Sequence, residues 1–439
     1  MRHSFIALLL GLVLALSTSL NPARAQGLIR DADIEHSLDQ LAAPILRAAG
    51  LNPNNVRILV VNDSGLNAFV INGNAIFIHS GLLQRLTSAA QVQSVIAHEA
   101  AHIANGHISR RLSNLRNSST AAGFGAALAV AIAIATDNGA AAGGFAAGAA
   151  GSAQRQFFSH TRAEESAADQ SAVRFMLSAG VDPQAALEVL DIFRGQEVLS
   201  VSRQDPYSRT HPLTSDRLRS VRGLVGANPG NAAANPTADF WFARAQGKLS
   251  AFTQNPNWTL RRVRGDDSPI ATMRRAVAYH RQADANNAIR EMQNLLRAFP
   301  NDAFWHELYG QILIESRQAN AAVQSYQNAV RLNNNEPLIL GGYGRALLAL
   351  NTSDGNALAV RTLERARALD GQSASILRDL GQAYARSGQP GLASLVTAER
   401  YALQGRRDDA ALHATRAADR LPRGSASWQR AQDVLSATQ

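Results

Sequence analysis

The chain has 439 residues, 46% of them hydrophobic, enough for two or three domains that each bury a core. Its basic residues outnumber its acidic ones by 43 to 34, a net charge of +9, but no block of five or six like charges occurs. That argues against nucleic acid as a partner and leaves a weak peripheral attraction to anionic membrane surfaces. Cysteine is absent, which excludes disulfides, thiolate metal sites, a cysteine nucleophile and lipid attachment through cysteine. Lys248 is the only lysine, a bias toward arginine that reads as compositional.

At the start, Arg2 and His3 precede an apolar run from Phe5 to Leu16, and Ala23-Arg24-Ala25 fits a small-x-small cleavage signal. This predicts a secretory signal peptide over 1–25, cleaved near Ala25, with an uncleaved anchor as the alternative. An exported chain without disulfides suits the bacterial periplasm. Residues 29–50 predict an amphipathic helix with Ile34, Leu38, Leu41 and Ile45 on one stripe, stopped by Gly50. Val56 to Val61 predicts a strand, and AFVINGNAIFI two short strands joined by Asn72-Gly73. Ser88 with Gln91 forms a candidate capping box for a helix expected to continue to about Leu115. The Ala/Gly-rich stretch from Ser118 to Ala153 reads as a helical hairpin around Asp137-Asn138-Gly139, soluble, membrane-touching or a flap over a site. Further helices are expected from about Thr161 to Ala179 and from Asp182-Pro183 to about Phe193.

Proline, glycine and asparagine concentrate between Ala227 and Asp239 and mark a linker. Beyond it the chain is helical and quasi-repetitive. Gly310 and Gly344 lie 34 residues apart, Gly381 follows, and Ala288, Ala322 and Ala393 recur in step. A period near 34 with small residues at helix crossings resembles tetratricopeptide repeats, four to five of them over 268–436. The third holds about three extra residues around Thr352 to Asn356, and the last two share a helix. Such an array presents a concave surface to peptides or partner domains. The expected organisation is a signal peptide (1–25), a metallopeptidase domain (26–227), a linker and leading helix (228–267) and a repeat domain (268–439). The fold class is mostly α: an α+β zincin-like domain with a small sheet, followed by an α-solenoid of tetratricopeptide-like repeats.

The chemistry concentrates in SVIAHEAAHIANGH, where His98-Glu99-Ala100-Ala101-His102 matches H-E-x-x-H. On a helix, positions i and i+4 share a face, so His98 and His102 can reach one zinc ion. Glu99 projects beside the metal, where it can take a proton from a zinc-activated water and pass it to a leaving amine. A catalytic site also needs a third ligand and an open position. TRAEESAAD places Glu165 and Asp169 four residues apart on a second helix. Glu165 is the candidate third ligand, with Glu164 as an off-by-one rival that lacks the spacing to Asp169. Asp169 can accept the N–H of a ligating histidine, and Arg162 can offset part of the acidic charge. His107, five residues past His102 and about 140° around the helix, should miss the metal, and His160 precedes the ligand helix.

Three segments resemble the HtpX-like and CAAX-prenyl-protease-like family of gluzincin zinc metallopeptidases: NAFVINGNAIFIHSGLL, VIAHEAAHIANGH and TRAEESAAD. Thr161 stands where that family has serine, and Ala101 where it often has glycine or serine. The resemblance implies His98, His102 and Glu165 as ligands to one zinc per chain, Glu99 as base and Asp169 as support. A fourth segment, HPLTSDR, resembles the family's H-P-x-x-x-x-R, giving His211, Pro212 and Arg217, and implies that His211 lies at the active site, with Arg217 supporting the site beside Asp169. Two roles for His211 stay open: a hydrogen-bond donor to the tetrahedral oxyanion, or a fourth zinc ligand that keeps the enzyme latent. The whole-chain architecture resembles periplasmic proteases that assist outer-membrane assembly. It implies an endopeptidase with chaperone-like activity toward unfolded or stalled outer-membrane proteins, docked on the assembly machinery through its repeats. The alternative is a non-catalytic tetratricopeptide scaffold with a structural or latent zinc site, against which the intact Glu99 argues.

Overall fold

The computed structural model describes residues 27–71, 73–110, 161–195, 206–229 and 234–438. The expected signal peptide, the Ala/Gly-rich hairpin and His160 lie outside these residues.

The first half builds a small sheet under helices. Strands β1 (Leu28–Ile29), β2 (Arg57–Val61), β3 (Ala68–Val70) and β4 (Ala75–His79) lie in the order β1-β2-β4-β3. β3 and β4 pair antiparallel, with Ala68 opposite Ile78 and Val70 opposite Ile76, and Gly73 in their connection has φ of +73°. β2 pairs with β4 in parallel, and β1, too short to read from the sequence, adds an antiparallel edge. Side chains alternate between faces as the pleat requires. Ile58, Val60, Val70, Ile76 and Ile78 enter the main core, while Leu59, Val61, Phe69 and Phe77 form a separate cluster on the other face.

Helix α1 (Ala32–Ala48) lays Ile34, Leu38, Leu41 and Ile45 into the main core. Asp31 caps it, accepting from the amides of Asp33 and Ile34. After α2 (Ser80–Arg85) comes α3 (Ala89–Ala104), capped by Ser88, whose Oγ accepts from the Gln91 amide at 3.2 Å. The capping box is only half formed, because the Gln91 side chain accepts from Thr87 rather than Ser88. α3 is also shorter than expected. It ends at Ala104, Gly106 turns the backbone at φ of +69°, and a separate helical turn covers 107–110. Glycine just past a helix end commonly adopts this left-handed conformation. α4 (Arg162–Ser178), α5 (Gln184–Ile192), α6 (Pro206–Thr210) and α7 (Ser215–Ala227) complete this half.

α8 (Pro236–Thr253) belongs to both halves. Its Phe242, Ala245 and Leu249 enter the main core and its Ala251 enters the first cluster of the repeats. After α9 (Pro256–Arg262) the chain forms antiparallel pairs: α10 (Pro269–Arg281) with α11 (Ala285–Ala298), α12 (Ala303–Glu315) with α13 (Ala319–Leu332), α14 (Pro337–Ala349) with α15 (Ser353–Leu369), and α16 (Ala374–Arg386) with α17 (Pro390–Leu403). The first helix of each pair has 13 residues and the second 14, except α15 with 17, which absorbs the insertion. α18 (Arg407–Ala418) packs directly on α17, and α19 (Ala426–Thr438) touches both. The periodic glycines have a steric cause. Gly310 and Gly342 face the ring of Tyr326 from two sides, and Gly344 faces Leu363; a Cβ at any of them would clash.

A buried ionic seam joins the halves. Arg244 on α8 donates to Asp33 of α1 at 2.5 Å and, through both terminal nitrogens, to Asp302 at 2.6 and 2.8 Å, with its guanidinium 4.5 Å from the Trp305 ring centre. Lys248, fully buried, lies 2.9 Å from Asp31. Farther along, Arg30 bridges Glu35 at 2.6 Å and Asp370 of the repeats at 2.7 Å.

Candidate metal centre

The site is assembled from α3, α4 and the segment that follows α6. α3 carries His98, Glu99 and His102 and is buried almost along its whole length, so the motif sits inside the fold rather than on its surface. Facing it, α4 starts with a capping box: Thr161 Oγ1 accepts from the Glu164 amide at 3.2 Å, and the Glu164 carboxylate accepts from the Thr161 amide at 3.1 Å. Glu164 is thereby held at the helix start while Glu165, one residue on, points inward and is fully buried. α6 ends at Thr210, and His211 follows with its amide donating to the Tyr207 carbonyl at 2.7 Å. Its ring stacks on Tyr207, centroids 4.5 Å apart, and Tyr207 stacks in turn on Phe193.

Four side chains converge. His98 Nε2 and His102 Nε2 are 3.1 Å apart, and His98 Nε2 is 3.3 Å from His211 Nδ1. Glu165 Oε1 lies 3.0 Å from His211 Nδ1 and 3.3 Å from His102 Nε2, and Oε2 lies 3.5 Å from His98 Nε2. Zinc–ligand bonds of about 2.0–2.1 Å in a tetrahedron place neighbouring donor atoms about 3.3 Å apart. The donor set is nitrogen and oxygen, buried and of the right spacing, so these residues fit zinc. Both oxygens of the fully buried Glu99 carboxylate lack a hydrogen-bond partner among the described residues, and its Oε1 stands 3.5 Å from His211 Nε2. A buried carboxylate left in that state is expensive unless a ligand or substrate completes it.

Electrostatics divide the carboxylates. Burial raises the Glu99 carboxyl above its usual range, with the facing His211 and His98 only partly offsetting this. Burial acts on Glu165 in the same direction, but His211 and Arg217 prevail and hold it well below the usual carboxylate range. Arg217, itself buried, grips Asp169 through two bonds of 2.8 and 2.9 Å, Glu165 at 2.7 Å and the Pro212 carbonyl at 2.9 Å. Asp169 Oδ1 lies 3.1 Å from His98 Nδ1. Burial works to lower His98, yet its bonds to Asp169 and Glu165 push it up to about 10. For His102 burial prevails and pushes it down to about 3.

Two expectations need correction. Arg162 is exposed at the first turn of α4, and the cation on the carboxylates is Arg217. His107 lies outside the ligand group, as expected, but it is not turned away on the helix face: it is 2% exposed and its Nδ1 lies 2.9 Å from His102 Nδ1. Helical-wheel spacing fails there because the helix stops before His107, and Gly106 was the signal for it. The ionic seam also went unread, although the solitary Lys248 pointed to it.

Residues 29–225 match the model of peptidase family M48. The beta-barrel assembly-enhancing protease of Escherichia coli (strain K12) is 26% identical over 331 residues, covering 71% of this chain and 65% of that protein. The putative beta-barrel assembly-enhancing protease of Vibrio cholerae is 31% identical over 227 residues, covering 50% of this chain and 45% of that protein. The chain thus spans less than two thirds of the length of these curated relatives. Among solved structures, the tetratricopeptide protein YrrB aligns with 40% of this chain and 89% of its own at 19% identity, with a TM-score of 0.32. Residues 29–225 of this chain are thus similar to peptidase family M48, and an array of paired helices follows them.

Proposed function

We propose that the chain is a zinc endopeptidase of the bacterial periplasm that hydrolyses misassembled or stalled outer-membrane proteins and also assists their assembly. The observation that carries the peptidase reading is a fully buried Glu99, with no hydrogen-bond partner among the described residues, beside the convergent His98, His102 and Glu165. These three would hold one zinc, which when bound supplies Lewis acidity and makes a water nucleophilic near neutral pH. Glu99 takes one proton from the attacking water and delivers it to the amide nitrogen as the C–N bond breaks, leaving an amine and a carboxylic acid, whose remaining proton passes to the amine or to solvent. Asp169 holds the His98 tautomer that presents Nε2, and Arg217 holds Asp169 and Glu165 in register.

β3 is an edge of the sheet and packs on α3, so an extended peptide can add to it as a further strand across the site. Unfolded outer-membrane barrels are rich in such segments. Two bonds tie the approach to β3 to the His211 segment: the Tyr207 amide donates to Leu66 O at 3.0 Å, and Thr210 Oγ1 meets Asn67 Oδ1 at 3.3 Å. His211 Nδ1 stands among the ligand atoms, which favours the latent role over the oxyanion role for this conformation. Partner recognition falls to the repeats, as the relatives' names suggest a role in beta-barrel assembly.

The test is cleavage of casein by zinc-loaded wild type and E99Q, with zinc content measured in both. Loss of cleavage in E99Q at unchanged zinc content is expected. Equal cleavage in both would remove Glu99 as the base. One zinc bound with no cleavage by wild type or H211A would favour the non-catalytic scaffold.

A further inference from the structure

We infer that His107 is a positioning residue that fixes the tautomer of His102 through a histidine–histidine hydrogen bond, an inference that rests on the proposed zinc reading. A histidine presenting Nε2 to a metal must carry its proton on Nδ1, and a partner at Nδ1 usually enforces this. His98 has Asp169 in that place. For His102 the neighbouring atom is His107 Nδ1 at 2.9 Å, with the two rings 5.0 Å apart at 68°. His102 then donates from Nδ1, His107 accepts at Nδ1, and the His107 proton sits on Nε2.

The backbone is built to deliver this contact. On a continuous helix, His107 would project about 140° away from His102. Instead α3 ends at Ala104, and Gly106 at φ of +69° swings the chain back. The turn is held by side-chain hydrogen bonds. The Asn105 side chain donates to Ser171 Oγ at 3.2 Å and to the Ala167 carbonyl at 3.4 Å, both on the helix that bears Glu165. Arg110 donates to the Asn105 carbonyl at 2.9 Å. An uncharged acceptor also suits this side of the site. Glu99, Glu165 and Asp169 already place three carboxylates within the cluster, and a fourth on His102 would add repulsion that, among the described residues, Arg217 alone of the arginines and lysines touches these carboxylates to offset.

The test uses two variants of nearly the same shape. In H107N an oxygen acceptor replaces Nδ1, whereas H107L puts a methyl there. Zinc affinity is read by chelator competition and ligand geometry by the visible spectrum of the cobalt-substituted protein. H107L should bind zinc about 10–100-fold more weakly than wild type with an altered cobalt spectrum, while H107N should stay within about threefold with the wild-type spectrum. Equal affinity in the two variants, whether retained or lost, would overturn the role. Nitrogen chemical shifts of histidine-labelled, zinc-loaded wild type decide the point even if H107L does not fold: His107 protonated on Nε2 supports the role, and His107 protonated on Nδ1 overturns it. Failure of the zinc reading looks different, since wild type and H102A would then bind zinc equally poorly.

Discussion

The metal centre and the seam beside Arg244 are both buried clusters of charge, and they are finished differently. In the seam, Arg244 meets Asp33 and Asp302 through three hydrogen bonds, and Lys248 sits on Asp31. At the candidate metal centre, Arg217 matches Glu165 and Asp169 in the same manner, but among the described residues Glu99 has neither a hydrogen bond nor an arginine or lysine beside it, only His211 Nε2 at 3.5 Å. The seam's Asp33, one oxygen of which also lacks a hydrogen bond, instead faces both Arg244 and Lys248. Matched buried charges fix where two elements sit, and truncating one partner is costly. An unmatched buried carboxylate stabilises nothing by itself and marks the place where an external group must complete the site. The contrast therefore separates architecture from chemistry.

The largest expected effect is at Glu99. E99Q should lower peptide hydrolysis by at least about 10²-fold without loss of stability. Because burial raises the Glu99 carboxyl, ionising it costs folding free energy once the pH exceeds its ordinary value of 4.5. Metal-free E99Q should thus melt above wild type at pH 7–8, with the difference vanishing below about pH 4.5. A lower melting temperature for E99Q at pH 8 would break the contrast, since Glu99 would then be a structural charge.

In the seam the opposite is expected. R244M removes the cation from the buried Asp33 and should destabilise the fold by about 3–5 kcal/mol in urea unfolding, while zinc stoichiometry at the metal centre stays at one. A loss of stability below about 1 kcal/mol would mean the seam does not fix the two halves.

These two clusters were unequally legible. His98, Glu99 and His102 announce themselves by spacing, and Glu165 with Asp169 by a second four-residue step, because the proposed metal site would dictate residue types at fixed separations. Arg244, Asp33 and Asp302 are isolated in sequence and no spacing rule links them; their contact exists only once α8 crosses α1. The repeat array was legible for another reason. A helix pair must leave room at each crossing, and Gly310, Gly342 and Gly344 record that requirement at close to the repeat period. β1 and the parallel pairing of β2 with β4 were not legible, since two residues carry no periodicity and β2 reads the same in either direction. The contact of His107 with His102 was not legible because one residue, Gly106, ended the helix on which its angle was calculated.

A smaller effect tests the array alone. G342A drives a methyl into the Tyr326 ring and should cost about 1–3 kcal/mol, seen as a lower midpoint of thermal unfolding with unchanged zinc binding. The smallest effect concerns protons. His98 is pushed up to about 10, so metal-free protein at pH 7–8 holds a proton that a ligand must lose. Calorimetry in buffers of different ionisation enthalpy should read about one proton released per zinc, with affinity rising about tenfold per pH unit over that range.

Zinc-edge anomalous diffraction from crystals of the full chain tests the central claim most directly. The account predicts one peak per chain, bonded to Nε2 of His98, Nε2 of His102, the Glu165 carboxylate and, in the latent conformation, Nδ1 of His211, with Glu99 beside it and outside the bonded set. A peak at any other residues, or zinc held directly by Glu99, would contradict it.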